Sequence, residues 1–143
     1  MTVTDIEKLL PLIKENVDTN VKNEEKRKKI LIKELFWGSE DLKEKGFREK
    51  YEIILGSDIV YQKDLFEPLL KSIDDLTDHN SLFYLAYRDR GGEEKFFEEL
   101  EKKFNKVEIP HEQYKDSVKG GINMKKMKIF IFKKKFSFND QSN

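Results

Sequence analysis

Three polar side chains directly follow a short apolar run in the middle of the chain. Residues 53–55 form the run, Gly56 interrupts it, and Ser57, Asp58 and Tyr61 come after. A continuous apolar run that ends in small residues is typical of a buried strand. Ligands in open α/β sheets bind just beyond the carboxyl ends of strands. The stretch therefore predicts either a binding site or a core strand followed by an aspartate that caps a helix.

Strands and helices alternate along most of the chain. Apolar spacing predicts helices over residues 6–21, 63–77 and 93–104, and strands over residues 2–4, 29–36, 53–55, 81–87, 107–109 and 127–132. This order predicts an α/β fold with a mostly parallel sheet and helices on both faces. The last two strands have no helix between them, which predicts a C-terminal antiparallel hairpin.

Smaller signals predict where the helices begin. Thr4 and Glu7 have the spacing of a capping box, and so do Asp64 and Glu67. Pro11 predicts that the first helix begins late, because proline suits a first helical turn. The charged residues 23–29 are interpreted as a connection without regular structure.

Length and composition exclude several classes of function. With 143 residues we expect one domain over residues 1–136 and a disordered tail over residues 137–143. Lysine plus arginine equals aspartate plus glutamate, 28 each, so no net charge favours nucleic acid or an anionic membrane. No cysteine, signal-peptide pattern or membrane-spanning apolar stretch is present, and the two histidines are isolated, so no metal site is predicted. These features indicate a cytoplasmic or nuclear protein.

The order of four motifs resembles the Rossmann-like S-adenosylmethionine-dependent methyltransferases, in the seven-strand group that contains the protein-lysine methyltransferases. The first motif is the strand end at Asp5 with its leucine-rich helix, and the second is the Trp-Gly pair that closes a strand. The third is an Asp-x-x-Tyr signature after the next strand, and the fourth is a Leu-x-Glu-Pro-Leu helix. In this chain they read Val3-Thr4-Asp5, Leu35-Phe36-Trp37-Gly38, Gly56-Ser57-Asp58-Ile59-Val60-Tyr61 and Leu65-Phe66-Glu67-Pro68-Leu69-Leu70.

The resemblance implies that three residues bind S-adenosylmethionine. Asp5 would accept hydrogen bonds from the two ribose hydroxyls, because a carboxylate offers two acceptor oxygens. Trp37 would lie near the adenine, and Ser57 would place small backbone beside the adenosine. Each has a structural alternative: a helix cap for Asp5, a core aromatic for Trp37, and close packing for Ser57.

The same resemblance implies that Asp58 and Tyr61 are catalytic and line the entrance for a target lysine. Asp58 would hold the substrate or brace the loop, and Tyr61 would pack on the lysine stem. The structural alternatives are a helix cap and a half-buried tyrosine. Tyr87, at the end of the next strand, could wall the same pocket. The partner implied is a protein substrate, of the chaperone or AAA-type ATPase class, while the oligomeric state stays open.

The chain departs from the family pattern at its start. The first strand and the glycine-rich cofactor loop of the family would precede Thr2, and the pairs Gly91-Gly92 and Gly120-Gly121 come too late to replace that loop. We therefore expect an N-terminally truncated fold, weak cofactor binding, and direct pairing of residues 2–5 with residues 52–56. Three hypotheses follow: a protein-lysine methyltransferase, a non-catalytic remnant that binds proteins, or an incomplete gene product.

Overall fold

A computed structural model describes residues 1–115 and 126–136 and divides the chain into two compact units, Met1–Ser39 and Glu40–Asn143. The single domain expected from the sequence stays a prediction. Gly120, Gly121 and the expected tail lie outside the described residues. Among the described helices, none combines the length and the apolar character that crossing a membrane requires.

The first unit is a pair of short parallel strands with helices between them. Its elements in order are β1 (Thr2–Asp5), a 3-10 turn (Glu7–Leu9), α1 (Leu10–Asn20), α2 (Glu24–Lys28) and β2 (Leu31–Glu34). Thr2 pairs with Leu31 and Asp5 pairs with Glu34. Pro11 lies at the start of α1, as predicted. No apolar side chain of this unit is fully buried, so it has little core of its own.

Local hydrogen bonds in this unit differ from the predicted ones. The segment interpreted as an irregular connection contains α2, because the side chain of Asn23 accepts a hydrogen bond from the backbone N–H of Lys26 at 2.9 Å and caps the helix. The predicted capping box of Thr4 and Glu7 is wrong: Thr4 belongs to β1, and Asp5 instead accepts a hydrogen bond from the N–H of Ile6 at 2.8 Å. No side chain caps α3 either.

The second unit is a four-stranded sheet covered by two helices. Its elements are β3 (Ile53–Ser57), a 3-10 turn (Lys63–Leu65), α3 (Phe66–Asp75), β4 (Leu82–Arg88), α4 (Glu94–Lys103), β5 (Phe104–Ile109), a 3-10 turn (His111–Gln113) and β6 (Met127–Lys134). The strand order is β3-β4-β6-β5. β3 runs parallel to β4, whereas β6 is antiparallel to both β4 and β5. The α/β class and the C-terminal antiparallel hairpin are confirmed.

The strand pairing expected at the start of the chain is wrong. β1 pairs with β2 in one sheet, and β3 pairs with β4 in another. β1 pairs instead with the next strand along the chain, which follows α1 and α2 and runs parallel to it. Sequential strands are spatial neighbours more often than not, which favours this choice.

The core of the second unit lies on one face of its sheet. Alternate residues of β4 and β6 are buried there: Phe83, Leu85, Tyr87, Phe130 and Phe132. Phe97 of α4 covers this face, with ring centroids 5.0 Å from Tyr87 and 5.4 Å from Phe130. α3 packs against α4 through Phe66 and Phe96, 5.3 Å apart. On the opposite face Leu55 is 75% exposed.

One carboxylate ties α3, α4 and β6 together at the end of α3. Asp74 forms ion pairs with Lys103 of α4 and Lys134 of β6. Lys134 also donates to the carbonyls of Asp74 and Thr77, at 3.0 and 3.1 Å. Burial alone would raise the pKa of Asp74, but the hydrogen bonds from the two lysines outweigh it and hold the pKa below its usual value.

This cluster predicts a pH-dependent stability. Because the folded pKa of Asp74 is lowered, its stabilisation is full above the unfolded pKa near 3.9 and is lost as pH falls through the folded value. We expect Asp74→Asn to lower the free energy of unfolding by about 1–2 kcal/mol at pH 7. This value lies between the effects of breaking an exposed and a buried ion pair. The difference from the parent should shrink below about pH 4.

Urea unfolding at a series of pH values measures this effect. Asp75→Asn is the matched control, because Asp75 forms an ion pair with Lys71 on the same helix, where both side chains are more than a third exposed. The control should stay within about 0.5 kcal/mol of the parent. A pH-independent loss in Asp74→Asn would show that the charge of Asp74 is not what stabilises the unit.

Candidate functional site

The candidate site lies where β3 and β4 end. Because the two strands are parallel, their carboxyl ends meet at one edge of the sheet, and the loops over residues 58–62 and 89–93 leave from it. The ladder continues one residue beyond β3, since the N–H of Asp58 donates to the carbonyl of Ala86 at 2.8 Å. This edge is where α/β sheets bind ligands.

Asp58 has an unusual backbone conformation. Its φ is 57°, in the left-handed region, which aspartate and asparagine adopt more readily than most residues. The turn directs its carboxylate toward the β4 loop, where Arg90 donates a hydrogen bond to Oδ2 at 2.7 Å. That bond raises the pKa of Arg90 above its already high value. The carboxylate is thus held by a charge-assisted bond between two neighbouring loops.

Val60 anchors the segment that carries Asp58 and Tyr61. Its side chain is fully buried, while the side chain of Tyr61 is about half exposed, at 53%. A buried residue between two exposed ones fixes the direction in which both point. Tyr61 therefore presents its ring to solvent at the edge of the sheet, consistent with either a substrate contact or a surface tyrosine.

Position 56 has no room for a side chain, because another part of the chain packs against its Cα. A Cβ at this position would lie 2.6 Å from Cδ1 of Ile59 and 3.1 Å from Cε2 of Phe83. The close approach expected from the sequence exists, but the group that approaches is the chain's own Ile59. Ser57, one residue later, is exposed at the end of β3 and remains available to a ligand.

A second contact joins the two loops. Lys63 lies over Gly92, where a Cβ would come within 2.8 Å of its Nζ. Gly91 and Gly92 both have positive φ, 83° and 92°, so side chains there would be strained. The glycine pair lets the β4 loop turn back over the start of α3 and place Arg90 beside Asp58.

The first unit holds the other two predicted residues: Asp5 is the last residue of β1, and Trp37 lies in the turn that follows β2. Asp5 is exposed, and its Oδ1 accepts the hydrogen bond from Ile6. Trp37 is half-buried in a turn that Ser39 closes by donating to the carbonyl of Phe36 at 3.1 Å. Within their unit, both residues stand where parallel strands present ligand-binding groups.

Tyr87 lies in the core beneath α4. It is 5% exposed, and its hydroxyl donates to Oε2 of Glu93 at 2.9 Å. Burial and that hydrogen bond raise the pKa of its phenol, so the group stays protonated. Within residues 1–115 and 126–136, no three acidic or histidine side chains lie close enough together to hold a metal ion.

Sequence reasoning missed two residues of this site, Arg90 and Val60. Arg90 is one of many charged residues, and only the Gly-Gly pair after it signals a sharp loop. Val60 could have been found as the apolar residue between Asp58 and Tyr61 in the motif.

Sequence similarity relates the chain to a known protein family and to individual proteins. A family model described as lysine methyltransferase matches residues 1–103. The protein N-lysine methyltransferase METTL21A of Danio rerio is 32% identical over 118 residues, which are 81% of this chain and 52% of the relative. The protein-lysine N-methyltransferase EFM6 of Saccharomyces cerevisiae is 33% identical over 116 residues, 75% of this chain and 46% of the relative.

The matches also describe how much of the relatives this chain contains. It spans about half the length of METTL21A, both in Danio rerio and in Mus musculus, where the identity is again 32%. The matched region of the family model ends at the last residue of α4, so it contains every candidate residue in both units and Arg90 as well.

Proposed function

This chain belongs to the lysine methyltransferase family, and from that premise we propose that it acts in methyl transfer from S-adenosylmethionine to a lysine side chain of a protein. Because it spans about half the length of its relatives, the activity of the whole enzyme is part of the proposal. The observation that supports it best is the pairing of Arg90 with Asp58, in the loop that also carries Tyr61, at the carboxyl ends of two parallel strands.

The reaction makes modest demands on the protein. The lysine nitrogen must be neutral, so that its lone pair can form a bond to the methyl carbon while the carbon–sulfur bond breaks and the electron pair leaves with sulfur. The amine then releases a proton to solvent. Desolvation lowers the pKa of a lysine, so no strong base is needed. Orientation of the amine is the main contribution left to the side chains.

The residues of the first unit suit the cofactor, which supplies an activated methyl group when bound. Asp5 is exposed, and in the described residues only its Oδ1 accepts a hydrogen bond, so Oδ2 can accept one from a ribose hydroxyl. The half-buried ring of Trp37 offers an apolar surface to an adenine. In the second unit, Ser57 is a small, exposed residue at the end of β3, directly before Asp58.

Arg90 adjusts the charge that a substrate lysine meets. An unpaired carboxylate at Asp58 would favour the ammonium form of a nearby lysine, which cannot attack. The guanidinium 2.7 Å from Oδ2 offsets that charge and also fixes the carboxylate in place. Arg90 is therefore a positioning residue in this proposal, and Asp58 and Tyr61 contact the substrate.

We expect Arg90→Ala to lower kcat/KM by about 2- to 5-fold at neutral pH, the size of one exposed ion pair. Because the freed carboxylate raises the pKa of the lysine amine, the pH profile of kcat/KM should move to higher pH by a few tenths of a unit. Arg88→Ala is the matched control, since Arg88 is an exposed arginine two residues away on β4. An unshifted pH profile in Arg90→Ala would contradict the charge argument.

Methyl transfer itself tests the function. Residues 1–143 and the full open reading frame of the gene would each be incubated with tritium-labelled S-adenosylmethionine and a protein extract, and the hydrolysed products analysed for methyllysine. Labelled methyllysine that disappears when S-adenosylhomocysteine is added supports the proposal. Absence of methyllysine with both proteins would overturn it and favour the non-catalytic, protein-binding hypothesis.

The resemblance found in the sequence extends the proposal to the substrate, which we infer to be a chaperone or an AAA-type ATPase. The support for this step is that resemblance alone. Mass spectrometry of the labelled band in the same extract would identify the protein and the lysine.

A further inference from the structure

An open cavity of about 320 Å³ lies beside the end of β4, on the face covered by α4. Three aromatic rings form its apolar wall: Tyr87, Phe97 and Phe130. The rings pack on one another, with centroids 5.0 Å apart for Tyr87 and Phe97 and 5.4 Å apart for Phe97 and Phe130. The faces of aromatic rings attract cations.

The cavity already holds an ammonium group from the chain itself. Nζ of Lys106 lies 5.6 Å from the ring centroid of Phe97 and 5.4 Å from that of Phe130. It also forms an ion pair with Glu101 at the rim. The arrangement of two aromatic faces and a carboxylate around one ammonium shows which ligand chemistry the wall accepts.

The rim carries more negative than positive charge. Four carboxylates and two ammonium groups line the cavity. Glu101 pairs with Lys106, and Asp89 lies 3.8 Å from Lys128. The remaining carboxylates, Glu94 and Glu98, have no ion-pair partner in the described part of the chain. These two carboxylates can therefore form ion pairs with a second cationic side chain that enters the cavity beside Lys106.

The cavity and the candidate site share one loop of the chain. Asp89 belongs to its lining, and Asp89 is the neighbour of Arg90, which holds Asp58. Both features thus use the loop that follows β4. A protein segment lying along this edge of the sheet can place one side chain near Asp58 and another in the cavity.

We propose that this cavity, with the aromatic wall of Phe97 and Phe130 and the carboxylates Glu94 and Glu98, binds a second lysine or arginine side chain of the protein segment that carries the target lysine. The inference rests on the proposed function and deepens it, because it assigns a basic segment as the substrate. Lys106 acts in this view as an internal competitor that limits affinity for the incoming cation.

Peptide binding without any methyl donor tests the proposal. A short fluorescein-labelled peptide with several lysines, and its counterpart with acetylated lysines, would be titrated with residues 1–143 and followed by fluorescence anisotropy. We expect the lysine peptide to bind and the acetylated one to bind much more weakly. The double variant Glu94→Gln/Glu98→Gln should weaken binding by about 5- to 10-fold, the sum of two exposed charge pairs.

Two further variants separate a specific pocket from a general charge effect. Lys106→Met removes the internal ammonium and should tighten binding by about 2- to 5-fold, since one competing charge is lost. Glu99→Gln is the matched control: it removes the same charge from the same helix, but Glu99 faces the groove between α3 and α4 and pairs with Lys102. It should leave affinity unchanged.

Several outcomes would overturn the inference. These are equal binding of the acetylated peptide, affinity of the double variant within 2-fold of the parent, loss of affinity in Lys106→Met, or displacement of the peptide by an equal concentration of spermidine. The titration contains no methyl donor, so peptide binding and methyl transfer are measured independently of each other. Failure of the cavity and failure of the proposed reaction are therefore distinguishable.

Discussion

Replacing Phe132 with alanine is expected to lower the free energy of unfolding of the second unit by about 3–5 kcal/mol. Phe132 is fully buried in β6, and its ring stacks on that of its cross-strand partner Phe83 at 5.7 Å. The same ring meets Phe97 of α4 at 6.4 Å. The substitution therefore removes contacts within the sheet and between the sheet and the helix, and leaves a cavity that neighbouring rings fill poorly.

Urea unfolding followed by far-UV circular dichroism measures this loss. Phe136→Ala is the matched control. It removes the same phenyl ring two residues after the end of β6, where the side chain is 74% exposed. The control should change stability by less than about 0.5 kcal/mol. A loss below about 1 kcal/mol in Phe132→Ala would show that this aromatic cluster is not the core of the unit. Since domains are stable by only about 5–15 kcal/mol, partial unfolding of Phe132→Ala would fit the prediction.

The sequence was sufficient for the type and order of the main elements. The near-continuous apolar and aromatic run over residues 81–87 and the apolar stripes of α3 and α4 are strong signals, and they predicted this strand and these helices within a few residues. Helix starts were harder to predict, because a capping pair such as Thr4 and Glu7 competes with other nearby acceptors. Thr4 lies in β1 rather than at a helix start, and the side chain that accepts a backbone hydrogen bond here is Asp5, from the N–H of Ile6.

Strand pairing could not be derived in the same way. Residues 2–5 could pair with either of two later strands, and the choice depends on chain connection rather than on side-chain pattern. The apolar stripe of a helix also does not show which face of the sheet the helix covers. α3 and α4 share one face because their phenylalanines contact each other, and such contacts between distant residues leave no local signal.

In the candidate site, too, some residues could be predicted from the sequence and others could not. Ser57, Asp58 and Tyr61 could be selected from the sequence because they follow an apolar strand. Arg90 could not, because the ion pair with Asp58 joins residues 32 positions apart and depends on the parallel pairing of β3 with β4. The left-handed conformation of Asp58 could not be predicted from the sequence either. It decides which substitutions can test the role of this residue.

Asp58→Ala is expected to reduce methyl transfer by about 10²-fold, the loss that a displaced reacting group can cause. The structure also predicts a side effect of this variant. Alanine is disfavoured at the φ of 57° that Asp58 adopts, and the bond to Arg90 disappears, so stability should fall by about 1–2 kcal/mol. The alanine variant therefore mixes a loss of function with a loss of folding.

Asp58→Asn separates the two effects. Asparagine tolerates the left-handed conformation and keeps an oxygen that can accept the hydrogen bond from Arg90, so the free energy of unfolding should stay within about 0.5 kcal/mol of the parent. Only the negative charge is removed. If this charge orients the substrate lysine, methyl transfer should fall by about 10-fold or more in Asp58→Asn, while the exposed control Asp64→Asn keeps full activity. Normal turnover in Asp58→Asn would show that the carboxylate serves the turn rather than the reaction.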